Sequence, residues 1–367
     1  MHWPEKMFPT HTGEGAPGEI GSGEPARRPG YWLRRGAWWL CYVVAWLAAL
    51  SLSAVAIMRI VYHDGAFVLI WLNAFTRYLY LPAYISLAWA TWQRRWLLMT
   101  ISAGVVACHL AWMAPDFVRD RRFDRSADRE RSAADESDSS SVRIFFANLY
   151  GYNGHHVEMF QEIAASDPDV IVVVEYGGHW YKSFTNSSVM APYKYGMGRL
   201  HPHIGSVNIF SRLPLQRSSQ KWIEGRWVQS IDIQRGDATL RIIGLHGPRP
   251  IGEPKQYYRG FWHKALPFLT APQGPLVVVG DFNATQHSRV YGQLTERRLR
   301  SAHDDRGRGY ATTWPNGQNW LPPIRIDQVF LSPEVECESI MEGRGLGSDH
   351  KPLIVDVHVR ADRPPTR

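Results

Sequence analysis

The chain of 367 residues carries 41 Lys and Arg against 34 Asp and Glu, a net charge of +7, with only three cysteines. That length accommodates one domain of ~200–250 residues plus a further segment. The cysteine count excludes a thiolate zinc site and a disulfide framework, and the charge is too diffuse to choose between anionic partners such as lipid head groups and nucleic acid.

Residues 1–35 are rich in Pro, Gly, Glu and His and read as a disordered cytoplasmic tail. They do not resemble a cleaved signal peptide, since no apolar core with a small-residue cleavage site follows the start. Residues 36–115 then form a membrane region. Gly36 to Met58 is uncharged and long enough to cross a bilayer as a helix. A second apolar stretch, Ala66 to Trp92, is interrupted by Arg77 and Pro82, which suggests an interfacial helix leading into a short span, or a kinked span with Arg77 snorkelling. The third runs from Trp96 to Ala114. Trp and Tyr gather near the ends of these stretches, as they do at membrane interfaces, and three transmembrane helices are expected. Cys41 and Cys108 fall inside them, leaving Cys337 alone in the soluble part.

Arg27, Arg28, Arg34 and Arg35 precede the first span and Arg94-Arg95 separate the second from the third, whereas the connection YHDGAF after the first span has no basic residue. Basic residues favour the cytoplasmic side, so the expected protein is a multi-pass inner or plasma membrane protein whose catalytic domain is extracytoplasmic (periplasmic). With 66–92 lying in the interface the domain would instead be cytoplasmic. Residues 116–141 mix Arg, Asp, Glu and Ser and read as a charged linker. No internal repeat is present.

From residue 142 to 360 short aliphatic or aromatic runs alternate with helical and turn-rich segments, and 361–367 is a tail. Strands are expected at Val142–Phe146, Val170–Val174, Ser206–Phe210, Ser230–Ile233, Ala238–Leu245, Pro275–Val279, Arg325–Leu331 and Pro352–Val359. Helices are expected at Gly154–Ala165 and at about Pro254–Leu269, where apolar residues recur at helical spacing. Strands outnumber helices and several alternate in period two. The expected fold is α+β, a four-layer sandwich of two mixed β-sheets flanked by helices and preceded by transmembrane helices.

Polar residues gather where these strands stop. Asn148, Glu175, His246, Asp281, Asn283 and Asp349-His350 stand at or just past the ends of runs, with Asp327 within one. A single Asp or Asn at a strand end is ordinary turn chemistry. So many O and N donors in that position are not, and they suit a hard cation such as Mg²⁺ or Mn²⁺ beside a phosphoryl centre.

The stretches RIFFANLY, DPDVIVVVEY, GLHGPRP, VVVGDFNAT, RIDQVFLSP and GSDHKPLIV, spanning about 142–360, resemble the endonuclease/exonuclease/phosphatase superfamily, and the membrane prefix looks like that of bacterial membrane-anchored members. The resemblance implies a DNase-like fold and a metal-dependent phosphoesterase. It implies Glu175 as principal metal ligand, with Asn148 as ligand or phosphate-orienting amide and Asp349 on the metal side. Asp281 would align or deprotonate the attacking water, and Asn283 would orient water or phosphate. His350 would contact the scissile phosphate, Asp327 would hold that histidine, and His246 would stabilise the transition state or protonate the leaving oxygen. Tyr150 stands where abasic-site endonucleases carry an acid, which weakens a repair role.

Other candidates carry blander expectations. His155-His156 are expected at the surface, and His201 and His203 in a solvated turn. His179-Trp180-Tyr181, Trp314-Pro315 and Trp320 could stack a base, cover a lipid or simply pack, and Arg212 could contact phosphate or form a structural ion pair. The expected function is hydrolysis of a phosphodiester, nuclease or phospholipid-type, by metal-activated water, the partners being that substrate (nucleic acid or phospholipid head group) and the lipid bilayer. The alternative is a catalytically silent, membrane-tethered binding module on the same fold.

Overall fold

A computed structural model describes residues 31–118, 140–197, 207–317 and 320–360. The chain divides into two compact units, Met1–Val44 and Ala45–Arg367. His201, His203 and most of the charged segment after residue 118 lie outside the described residues.

The N-terminal region is helical: α1 (Tyr31–Tyr62), α2 (Phe67–Ala74), α3 (Thr76–Leu79), α4 (Leu81–Trp92) and α5 (Trp96–Phe117). Among the described residues two helices, α1 and α5, are long and apolar enough to cross a membrane, with only 22% and 33% of their most apolar windows buried. That low burial distinguishes them from core helices, whose apolar faces are covered. Within the second unit α1 packs with α4 and α5, Ala49 clustering with Ala90 and Leu98, and Ala56 with Ala83 and Val105.

Three boundaries differ from the sequence expectation. Residues 31–35 belong to α1, not to a tail, because the helix continues outward past the apolar run. The stretch 66–92, expected as an interfacial helix leading into a short span or as a kinked span, is three short helices, none of which is long enough to cross a membrane by itself. Arg77 does not snorkel: its guanidinium donates to the Gly309 and Tyr310 carbonyls at 3.1 and 3.3 Å and lies 4.0 Å from the Tyr310 ring centroid. Asp116, expected in a solvated linker, is buried at the end of α5, where it accepts from Gln286 at 3.2 Å and lies 3.7 Å from His287.

Downstream, two six-stranded mixed sheets form. The first has the order β11-β12-β1-β2-β4-β3, from β1 (Ser141–Asn148), β2 (Val170–Val174), β3 (Tyr195–Met197), β4 (Val207–Ser211), β11 (Val335–Glu342) and β12 (Leu353–Val359). The second has the order β5-β6-β7-β8-β10-β9, from β5 (Leu215–Ile223), β6 (Arg226–Arg235), β7 (Ala238–His246), β8 (Leu276–Asp281), β9 (Arg300–Ser301) and β10 (Asp327–Leu331). Each holds one parallel pair, β1 with β2 and β7 with β8.

Alternation decides what each face touches. Val142, Ile144 and Phe146 of β1, Leu240 and Ile242 of β7, Val277 and Val279 of β8, and Val329 and Leu331 of β10 meet in the inter-sheet core. The opposite parity packs outward. Phe145, Ile171 and Val173 lie under α6 (His156–Ser166) and α7 (Gly178–Asn186). Ile243, Val278 and Phe330 lie under α8 (Lys255–Thr270) and α9 (Arg289–Arg297). Helix, sheet, sheet, helix: the four-layer sandwich expected from the strand pattern is the observed fold.

Strands β3, β5, β9 and β11 were not among those expected from the sequence; β3 and β9 are only three and two residues long. β5 is exposed along nearly its whole length, so no apolar alternation marks it, and it exists through its antiparallel pairing with β6.

Candidate active site

The inward-facing rows end in polar side chains. The row 142, 144, 146 of β1 continues to Asn148; 240 and 242 of β7 lead to His246; 277 and 279 of β8 lead to Asp281; and 331 and 329 of β10 lead to Asp327. Period-two geometry therefore aims these four into the mouth of the sandwich. Register aligns them: Asp281 is paired with His246 on one side and with Asp327 on the other. Gly280 permits the close approach, because a Cβ there would stand 2.1 Å from the Leu245 carbonyl oxygen.

Glu175 has the other parity, shared with Ile171 and Val173, and alternation alone would point it outward. Its φ of 56° turns the chain into the left-handed region and brings the carboxylate back to Asn148. Tyr150 (φ 52°) and Asn283 (φ 47°) are similarly left-handed. Each such non-glycine residue costs of order 1–3 kcal/mol, and such strain clusters at functional sites.

The side chains of both sheets meet. The Asn148 amide donates to Asp281 Oδ2 at 3.1 Å and to Glu175 Oε1 at 3.3 Å, and its nitrogen lies 3.5 Å from His350 Nε2. Its Oδ1 accepts from Tyr150 N–H at 3.0 Å, and Gly151 N–H donates to Glu175 Oε2 at 3.1 Å. His246 Nε2 lies 3.6 Å from Asp281 Oδ2 and 4.0 Å from Glu175 Oε1. His350 Nδ1 is 2.8 Å from Asp327 Oδ2, which fixes the ring so that Nε2 faces Asp281 Oδ2 at 3.8 Å. Thr313 Oγ1 accepts from the backbone N–H of Ile326 and of Asp327, and Ser348 Oγ donates to the Asn148 carbonyl at 2.7 Å while accepting from His350 N–H. Neither Thr313 nor Ser348 was singled out from sequence. A hydroxyl that bridges two backbones carries no pattern of its own.

Asn148, His246, Asp281, Asp327 and His350 are all buried. Burial, then the Asp327 carboxylate, pushes Asp281 up to about 7, with His350 acting against this. For His350 burial favours the neutral ring, but the Asp327 and Asp281 carboxylates outweigh it and hold the imidazole up at about 10. The pair therefore sets an imidazole held toward its protonated form beside a carboxyl whose affinity for a proton is raised.

Two further predicted residues line the same cleft of about 700 Å³. Asn283 donates from its backbone to Asp281 Oδ1 at 2.8 Å and from its side chain to the Gly247 carbonyl at 3.0 Å. Asp349 accepts from the Trp314 indole at 3.2 Å.

The bland expectations resolve individually. Arg212 pairs with Asp167 at 2.5 Å, a structural ion pair. His155 pairs with Glu158 at 3.2 Å, whereas His156 is held by Ser183 and stacks near His179 and Trp180. Trp180 is fully buried packing, while His179, Trp314 and Trp320 line the cleft.

The model of the Endonuclease/Exonuclease/phosphatase family matches residues 146–350, more than half the chain and every site residue named above. The chain belongs to the endonuclease/exonuclease/phosphatase family. It is accordingly a phosphoric ester hydrolase of a divalent-metal-dependent family. Among solved structures, D. rerio TDP2 complexed with a single-strand DNA product is similar at 16% identity and a TM-score of 0.50, covering 60% of this chain and 100% of that one. An endonuclease/exonuclease/phosphatase family protein from Bacteroides thetaiotaomicron is similar at 16% identity and a TM-score of 0.48, over 60% and 98%. One from Beutenbergia cavernae is similar at 15% identity and a TM-score of 0.47, over 60% and 72%. Comparison with curated proteins gives no match.

The donor set fits the family's cation. Asp281, Asp327 and His350 place ligand-capable atoms within 4.8 Å of one another. Glu175 and Asn148 add hard oxygens, no thiol is among them, and among the described residues Asp327 Oδ1 is buried without a hydrogen-bond partner. Carboxylate and amide oxygens of this kind suit Mg²⁺ or Mn²⁺.

Proposed function

We propose that the protein is a membrane-anchored phosphodiesterase that uses Mg²⁺ or Mn²⁺ held by Glu175 and Asn148, with Asp349 contributing from the metal side. The observation that carries this is the convergence of Asn148 and Glu175 from one sheet with His246, Asp281 and Asp327 from the other, joined by His350, at distances of 2.8–4.0 Å. When bound, the cation supplies Lewis-acid stabilisation of negative charge on the phosphoryl oxygens.

The chain's own groups divide the remaining work. Asp281 accepts a proton from the attacking water, and Asn283 orients that water or the phosphate. His350, held by Asp327, donates through Nε2 to a non-bridging oxygen where charge develops, and His246 serves the leaving oxygen. Water adds to phosphorus, one ester P–O bond breaks, and the leaving oxygen takes the proton. The products are an alcohol and a phosphomonoester.

The membrane placement is supported by α1 and α5 as spanning helices, with α3 and α4 together forming a shorter third crossing antiparallel to α5. Arg94-Arg95 then lie at the Ala45 end of α1, away from the catalytic domain. The basic residues at that turn and before the first span favour a cytoplasmic N-terminus and a catalytic domain outside the cytoplasm.

The test is turnover by purified full-length protein on duplex DNA, single-stranded nucleic acid, phospholipid and phosphomonoester, with Mg²⁺ and with chelator. Chelator-sensitive hydrolysis that disappears in Glu175→Gln is expected. Turnover that survives exhaustive chelation would overturn the metal assignment.

A further inference from the structure

One wall of the active-site cleft comes from the helical region that precedes the catalytic domain. Ile70, Trp71 and Ala74 of α2, with Phe75 beyond it, line the same cleft as Glu175, His246, Asp281 and His350. The placement is fixed by packing. Ile70 is buried in the apolar layer that holds Tyr258, Phe261 and Trp262 of α8, and the Phe67 ring meets Tyr258 edge-on at 6.2 Å. Polar clasps hold the flanks. Asp64 accepts from Arg289 N–H at 2.6 Å, and the Tyr78 hydroxyl donates to the Pro323 carbonyl at 2.8 Å. Leu321, Ile324 and Ile326 line the same cleft.

The cleft is thus polar at one part of its lining and apolar at another. Its described lining includes a single Arg or Lys, Arg249. A nucleic-acid strand presents a phosphate at every nucleotide and is held by several Lys or Arg against successive phosphates. Among the described residues this lining has one such contact to give. Aromatic rings such as Trp71 could stack bases, but Ile70, Ala74, Leu321, Ile324 and Ile326 have no π-face and suit an alkyl chain.

Exposed apolar residues also flank this wall. α2 is joined through Gly65 to α1 and through α3 to α4. Around it Val68, Leu81 and Ile85 are exposed, as is much of the apolar face of α1. Exposed apolar surface marks a membrane contact, and on α2 the exposed Val68 stands three residues, about one turn, from the cleft-lining Trp71.

Resting on the phosphodiesterase assignment above, we propose that the substrate is an amphiphilic phosphodiester resident in the bilayer, a phospholipid. Its head-group phosphate meets Asp281, His246 and His350, while the first part of its tail lies against Ile70, Trp71 and Phe75. Hydrolysis follows the balance already given, water in, one P–O ester bond broken, a phosphomonoester and an alcohol out. The lipid reaches the site sideways along α2, and α2 is a positioning and specificity element, not a tether alone.

The experiment uses the full chain with Mg²⁺ and three substrates: vesicles of equal parts phosphatidylethanolamine and phosphatidylglycerol, a soluble bis-aryl phosphodiester, and a single-stranded DNA oligonucleotide. Vesicle lipid is the expected preferred substrate by kcat/KM. Trp71→Ser should lower kcat/KM on vesicles about tenfold more than on the soluble diester, the scale of one lost apolar contact. Leu321→Ser, outside the apolar layer that holds α2, should show the same selective loss, which a misdocked α2 would not explain. DNA cleaved in preference to vesicles, or losses equal on vesicles and soluble diester in both variants, would overturn the lipid assignment and leave the hydrolase standing. Absence of Mg²⁺-dependent cleavage of all three would overturn the hydrolase assignment, and the lipid assignment with it.

Discussion

Asn148 on one sheet and Asp281 on the other are joined by a 3.1 Å hydrogen bond across the mouth of the sandwich. The same amide reaches Glu175, so one side chain ties together the two carboxylates that the proposed function assigns to the metal and to proton transfer. Buried hydrogen bonds to charged groups contribute about 1.5–3 kcal/mol. The bond therefore serves the alignment of the two sheets as well as the chemistry.

Glu175→Gln keeps the shape of the side chain and removes its charge. Mg²⁺-dependent turnover should vanish while the melting temperature moves little, since Glu175 lies at the half-exposed edge of the cluster. Activity assays across a Mg²⁺ titration, with circular dichroism as the fold control, check this; full activity at any Mg²⁺ concentration contradicts it.

Asp281→Asn and His350→Ala should each lower kcat by about a hundredfold or more, the scale of losing a positioned proton-transfer or charge-stabilising group. His155→Ala, whose ring faces solvent and Glu158, should change little. A His155 variant as impaired as the His350 variant would refute the placement of chemistry at the strand ends.

Asp327→Asn addresses orientation. It preserves size but weakens the 2.8 Å contact that aims His350 Nε2 at the cleft. The expected result is a fall in kcat with KM nearly unchanged, because an aimed ring matters most in the transition state. A change confined to KM would place Asp327 in substrate binding instead.

His303 is fully buried beside Glu342, and burial, then Arg325, pull it down from 6.5 to about 4. A depressed histidine leaves the native state unprotonated where the unfolded chain already binds a proton, so stability is lost as pH falls from 6.5 toward 4. Between about pH 7 and pH 5 the wild type should lose about 2 kcal/mol more than His303→Gln. Unfolding midpoints of both proteins in detergent at the two pH values measure the difference; parallel pH profiles would show that His303 does not titrate as its burial requires.

Topology is tested with a cysteine at Asp237, an exposed turn of the catalytic domain. Cys337 gives little background, since burial pushes its thiol up to about 12. A membrane-impermeant maleimide should label the Asp237→Cys protein without permeabilisation of the inner membrane. Labelling only after permeabilisation would place the domain in the cytoplasm.

The sequence by itself determined the sandwich and which polar side chains stand at its strand ends. Runs such as Val277–Val279 and Val170–Val174 are strands because β-branched residues fit a buried pleat. Period two carries their inward row onto Asn148, His246, Asp281 and Asp327, so these side chains were legible as strand-end chemistry. Tertiary structure alone decided which strand end faces which. The parallel register of β7 on β8 and the antiparallel register of β10 on β8 put Asp281 between His246 and Asp327, pairings between residues distant in the chain. It also decided Glu175, whose parity points away from the site until a left-handed backbone turns it in. The position of α2 belongs to the same class: an apolar stretch of eight residues has the same composition whether it meets lipid or protein. Only its packing against Tyr258 and Trp262 made it a wall of the active site, because burial is a property of the partner surface and not of the segment.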